Sequence, residues 1–103
     1  MAQFDVWPNP TESADVIPYL VELQSDFLDG LASRVVVPLV SETSDRPARY
    51  LNPRIRIGEG TYVLVTQELA PVPVHILAGR PVANVAEARD DIIRAIDFLI
   101  SGY

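Results

Sequence analysis

Apolar and polar positions alternate with a period of two along most of the first three quarters of the chain, then change to a longer period near its end. From Ala2 to Trp7, Phe4 and Val6 oppose Gln3 and Asp5, which predicts a half-buried strand ended by Pro8 and Pro10. The polar, proline-flanked segment 9–14 predicts an exposed loop. Tyr19 to Gln24 alternates again, with Tyr19, Val21 and Leu23 against Leu20, Glu22 and Gln24. Ser25, Asp26, Asp29 and Gly30 then form a turn-rich link that carries Phe27 and Leu28. Arg34 to Val40 is nearly continuous β-branched apolar sequence, the pattern of a central strand buried on both faces. Pro38 inside it has no N–H for a ladder and argues for a bulge or a locally unpaired edge. Ser41 to Asn52 reads as a loop. Arg54–Ile57 and Thr61–Thr66 flank Gly58-Glu59-Gly60, which predicts a hairpin with a three-residue connection. Pro71-Val72-Pro73 interrupts the next segment, and Val74 to Leu77 reads as a short strand.

The closing segment follows helical spacing: Val85, Ala88, Ile92, Ile96 and Leu99 share one face. Asn84 is placed to cap its start, with Glu87 three residues on to reach back. Asp90 and Asp91 lie early, where the helix dipole favours negative charge, and Gly102 lies where a left-handed terminating residue is expected. Ile93, Phe98 and Ile100 fall off the main apolar face. Either the helix inserts deeply into its own fold or a second molecule covers its outer side.

These elements predict a mainly β protein, a small barrel of antiparallel strands with one C-terminal α-helix. Composition adds limits. At 103 residues and 49% hydrophobic, the chain has the length of a single domain spanning 1–103 and enough apolar sequence for a core without staples. It has no cysteine, which excludes disulfides, thiolate metal sites and cysteine nucleophiles. The opening Met1-Ala2-Gln3-Phe4-Asp5 lacks the basic and apolar regions of a secretory signal, and no window reads as a membrane helix. A soluble, cytoplasmic protein without membrane association is expected.

The formal charge is −6, and all eight cations are arginines. Such a chain repels a phosphate backbone at long range, so direct nucleic-acid binding is not expected. Arg46, Arg49, Arg54 and Arg56 cluster in sequence, and read as a solvated face or partner contact. The only histidine, His75, has no evident base or nucleophile beside it. Turn formation explains Asp26 with Asp29, and helix-start electrostatics explains Asp90 with Asp91. No serine lies in a nucleophile elbow, and Gly58-Glu59-Gly60 lacks the third glycine and following helix of a phosphate loop. The residues make no case for an enzyme, a metal site or a cofactor.

Several segments resemble one family. Val21-Glu22-Leu23-Gln24-Ser25-Asp26-Phe27-Leu28-Asp29 is similar to the V-D-V-Q-S-D-[IL]-[IL]-D stretch of CcdB toxins. Arg34-Val35-Val36-Val37-Pro38-Leu39 resembles their R-x-V-I-P-L strand, Val72-Pro73-Val74 their V-P-V segment, and Ala95 to Ile100 their closing helix. Gln3-Phe4 and Ile57-Gly58 also fit, so the resemblance runs from end to end, with a shorter loop around Ser41 to Ala48.

The resemblance implies an SH3-like barrel with a C-terminal helix, shared with MazF-type toxins, that forms a homodimer. It implies a plasmid-maintenance toxin that binds the A subunit of DNA gyrase and traps the cleaved-DNA complex. A CcdA-like antitoxin with a disordered C-terminal segment would neutralise it. The gyrase-contacting positions carry over to Phe27, Leu28, Asp97, Ile100, Ser101, Gly102 and Tyr103, and Leu99 is expected at the dimer seam. The family's terminal Trp-Gly-Ile is replaced by Ser101-Gly102-Tyr103. Tyr103 would supply the aromatic contact two positions along, and retained activity is favoured. The rival readings are a MazF-type endoribonuclease using Arg54 or Arg56 with an acid or His75, which the acidic charge disfavours, and an inactive relative that keeps only antitoxin binding.

Overall fold

The computed structural model describes residues 2–42 and 47–102. Within them, β1 (Asp5–Pro8), β2 (Tyr19–Glu22), β3 (Ser33–Ser41), β4 (Arg54–Ile57), β5 (Gly60–Leu64), β6 (Ala70–Pro73) and β7 (Ala83–Asn84) form one antiparallel sheet. The strand order is β4-β5-β3-β2-β1-β7, with β6 paired to β3 off that path. The sheet curls into a nearly closed barrel, and α1 (Arg89–Ser101) follows it. This is the mainly β, SH3-like architecture with one C-terminal helix that the sequence predicts.

The long strand β3 is the organising element, and Pro38 shows how. Its N-terminal half pairs with β6, from Ser33↔Pro73 to Val36↔Ala70, and its C-terminal half with β5, from Leu39↔Leu64 to Ser41↔Tyr62. Pro38 falls between the two partners, and its carbonyl accepts from the Val65 N–H at 3.0 Å. The N–H that proline lacks therefore points at a change of partner, where no ladder bond is forfeited. The expected local gap in pairing is this switch. On its other edge β3 runs unbroken along β2, Tyr19↔Leu39 to Glu22↔Val36.

Period two sends alternate residues to two buried layers, as the β-branched run predicts. Val6, Val21, Val37, Leu39 and Leu64 meet Ile92 of α1 and Val85 in the main core. Trp7, Leu20, Val36 and Leu77 form a second cluster on the opposite face.

Four boundaries differ from the sequence expectation. Residues 2–4 are not strand: the Asp5 N–H bonds the Ala2 carbonyl at 3.0 Å, and Phe4 takes a left-handed φ of 71°. That turn drops the Phe4 ring into the core, where it is 3% exposed. The strand near residue 72 is β6 itself, whereas Val74–Ile76, expected to be extended, is a 3-10 turn. In the 54–64 hairpin, Gly60 pairs with Ile57, so only Gly58 and Glu59 form the connection. Gly58 has the positive φ, 60°, that the first central residue of a two-residue hairpin turn needs. Lastly, α1 begins at Arg89, after a 3-10 turn at Ala86–Ala88. Asn84 caps that turn, its Oδ1 accepting from the Ala86 N–H at 2.9 Å, and no hydrogen bond returns from Glu87 among the described residues.

Candidate protein-docking surface

Two apolar tips project from this scaffold. The first is the 3-10 turn Asp26–Leu28 between β2 and β3. Ser25 caps it, its Oγ accepting from the Phe27 N–H at 3.2 Å. Gln24, nearly buried, ties the turn to the sheet: its Nε2 donates to the Leu28 carbonyl at 3.0 Å and the Ser33 carbonyl at 3.3 Å, and its Oε1 accepts from the Val35 N–H. The Gln3 N–H donates to Asp26 Oδ1 at 2.8 Å. So held, the turn leaves the Phe27 side chain 99% exposed, with Leu28 and Leu31 about half exposed beside it. A phenyl ring wholly in water on a fastened turn gains nothing from its own fold.

The second tip is the end of α1. Ile92 and Ala95 are buried and anchor the first turns, while Asp97, Leu99, Ile100 and Ser101 face solvent, Ile100 being 78% exposed. The inner side of the helix is thus accounted for by its own barrel, and the outer apolar residues remain uncovered. Gly102 ends the helix at φ 78°, its N–H bonded to the Phe98 carbonyl at 2.9 Å. A side chain is disfavoured there by the backbone alone. Tyr103, also expected at this site, lies outside the described residues. No hydrogen bond or ion pair among the described residues joins the Phe27–Leu28 turn to the end of α1.

One feature beneath the first tip was not anticipated from the sequence. Arg34 is 1% exposed and Glu22 is fully buried. Arg34 pairs with Asp29 at the end of the Phe27 turn, and its Nε lies 3.5 Å from Glu22 Oε2. The Trp7 indole N–H donates to Glu22 Oε1 at 3.2 Å. The register explains the cluster: Trp7↔Leu20 and Glu22↔Val36 put Trp7, Glu22 and Arg34 on one face as diagonal neighbours. Burial pushes the Glu22 carboxyl above its ordinary value of 4.5, against the opposing pull of the Trp7 hydrogen bond and the Arg34 charge. An acid raised on folding binds its proton more tightly in the native state. Its contribution to stability is therefore full below the ordinary pKa and is lost as pH rises through the raised value. Glu22→Gln should remove that decline, seen as a flatter plot of unfolding free energy as pH rises above 4.5.

The residues considered for chemistry do not converge. His75 is exposed on the Val74–Ile76 turn, Arg56 is exposed on β4, and Arg54 is engaged by Glu42 at 2.5 Å. No hydrogen bond or ion pair among the described residues connects His75 with either arginine, and these residues contain no carboxylate or histidine cluster of metal-binding geometry. Arg46 lies outside the described residues. No described helix is long and apolar enough to cross a membrane.

The barrel thus holds apolar side chains outward on a turn and at a helix end. Comparison with protein families makes this specific: the model of the CcdB protein family matches residues 3–102. The chain belongs to the CcdB family, and so to the toxins of toxin–antitoxin systems.

Proposed function

We propose that this toxin poisons DNA gyrase by binding its A subunit and holding the enzyme on cleaved DNA. It needs no cofactor and performs no catalysis of its own. The observation that carries the reading is that Phe27 and Ile100, at the family positions expected to contact gyrase, are the two most exposed large apolar side chains described. Leu28, Asp97, Ser101, Gly102 and Tyr103 complete the surface. Binding of purified gyrase A subunit to the immobilised toxin tests it. Phe27→Ala should weaken binding by about 2 kcal/mol, as expected for an aromatic anchor, with no change in thermal midpoint because the ring touches little of its own fold. Equal binding by wild type and Phe27→Ala would remove the turn from the interface.

The toxin acts as a symmetric homodimer in the cytoplasm, with Leu99 and nearby strand residues at the seam. Leu99 and Ile93, both partly exposed on α1, supply apolar surface that a second copy would cover. Light scattering at micromolar concentration should give about twice the 11.4 kDa chain mass, and Leu99→Asp should return it to one. A monomer at all concentrations would refute this assembly. A CcdA-like antitoxin with a disordered C-terminal segment is the expected neutralising partner.

A further inference from the structure

Away from both apolar tips, three of the eight arginines of this acidic chain line one open cleft of about 610 Å³ between the 47–54 segment and α1. They are Arg49, Arg94 and Arg54, the last of which is engaged by Glu42, accompanied by Tyr50 and Asp91. The guanidinium of Arg49 lies 4.9 Å from the centre of the Tyr50 ring, and that of Arg94 5.0 Å from the same point. Two like charges are thus held against one ring, and among the described residues no ion pair joins either of them to an acid. The backbone here is also unusual. Tyr50 has a left-handed φ of 66°, a conformation that bulky side chains avoid.

The surroundings fix that conformation. Asn52 Oδ1 accepts from the Ala48 N–H at 3.0 Å, and its Nδ2 donates to the Leu64 carbonyl at 3.1 Å and to Gln67 at 2.8 Å. The Thr66 hydroxyl donates to the Leu51 carbonyl. The ring of Phe98 backs Tyr50 at 6.1 Å. Backbone strain maintained by a hydrogen-bonded frame is a feature of ligand clamps.

We propose that this cleft binds a nucleoside phosphate. Guanidiniums stacked on a ring keep their in-plane N–H donors, which match phosphate oxygens in pairs. Asp91, one helical turn before Arg94, would oppose a bare anion but accepts well from sugar hydroxyls. A cluster of arginines beside a carboxylate and an aromatic ring suits a phosphate joined to a ribose and base better than phosphate alone. The net charge of −6 opposes a long polyanion more than a compact ligand, so a mononucleotide is favoured over RNA. This reading is independent of the gyrase contact, because none of the cleft residues belongs to that surface.

The test is titration of the full chain with ADP, pyrophosphate, adenosine and a short single-stranded RNA, followed by amide NMR shifts and calorimetry. ADP should bind more tightly than pyrophosphate or adenosine, with shifts centred on residues 48–54 and 91–98. Arg94→Met and Arg49→Met should each weaken ADP and pyrophosphate by about tenfold or more. Asp91→Asn should weaken ADP while sparing pyrophosphate. Native amide dispersion in each variant separates loss of the site from loss of the fold. No binding at millimolar ADP, binding unaffected by Arg94→Met, or RNA binding without ADP binding would each overturn the proposal.

Discussion

Removing Ser101, Gly102 and Tyr103 is expected to abolish killing of gyrase-sensitive bacteria while the barrel remains folded. The two halves of this result have separate causes. Folding depends on the first turns of α1, where Ile92 and Ala95 are buried, and Ser101 and Gly102 are exposed beyond them. The truncation removes two terminal hydrogen bonds, from the Gly102 N–H to the Phe98 carbonyl and the helical bond of the Ser101 N–H, for a cost of about 1–3 kcal/mol. Binding is expected to depend on the opposite end. A helix terminus is positioned before the partner arrives, so its side chains lose little freedom on docking. Loss of the terminal aromatic alone, in Tyr103→Ala, should weaken gyrase binding by about 1–3 kcal/mol. Gly102→Leu should approach the full truncation, because φ 78° is costly for a branched side chain and the chain would leave the helix in another direction. His75→Ala and Arg56→Ala should kill as wild type does. A truncated chain that still kills would show that the helix end is not the weapon.

The second large effect is on stability. Arg34→Ala should destabilise the fold by roughly 3–5 kcal/mol, because it strands Glu22 in the core without its cation. It also releases Asp29 and with it the far end of the Phe27 turn. Urea denaturation should show the midpoint falling by about 1 M or more, given slopes of about 1–3 kcal/mol per molar for small proteins. The double change Arg34→Met with Glu22→Leu should recover most of that loss, since apolar replacements remove both desolvation penalties together. Its gyrase affinity should nonetheless stay reduced, because the turn would lack the Asp29 tether. Full recovery of stability and affinity together would mean that the ion pair positions nothing.

Elements whose signal is local were legible in the sequence. The helical spacing of Ile92 and Ile96, the β-branched run of β3 and the glycine of the 58–59 turn act through their immediate neighbours. What was not legible depends on pairing. The Val74–Ile76 segment has β-forming residues, yet the strand lies one step earlier, on two prolines. Pro71 and Pro73 are tolerated there because β6 has β3 as its partner on one side, and Val72 with Val74 supplies the inward bonds. Phe4 was assigned to a strand because alternation cannot reveal a positive φ. Nothing in the alternation pairs Glu22 with Arg34, since only the register Glu22↔Val36 brings them together inside. The surface tips were found through family resemblance, and their exposure is consistent with that role. The turn residues around Phe27 and Leu28 give the link but not how far the two side chains stand out of it.

A toxin that converts gyrase into a DNA-breaking agent is measured directly by gyrase-mediated cleavage of supercoiled plasmid. Purified toxin, gyrase and ATP should accumulate linear DNA after detergent and protease treatment, in proportion to toxin. The chain lacking residues 101–103 should leave the plasmid intact. Undamaged plasmid at toxin concentrations that saturate the A subunit would contradict the account.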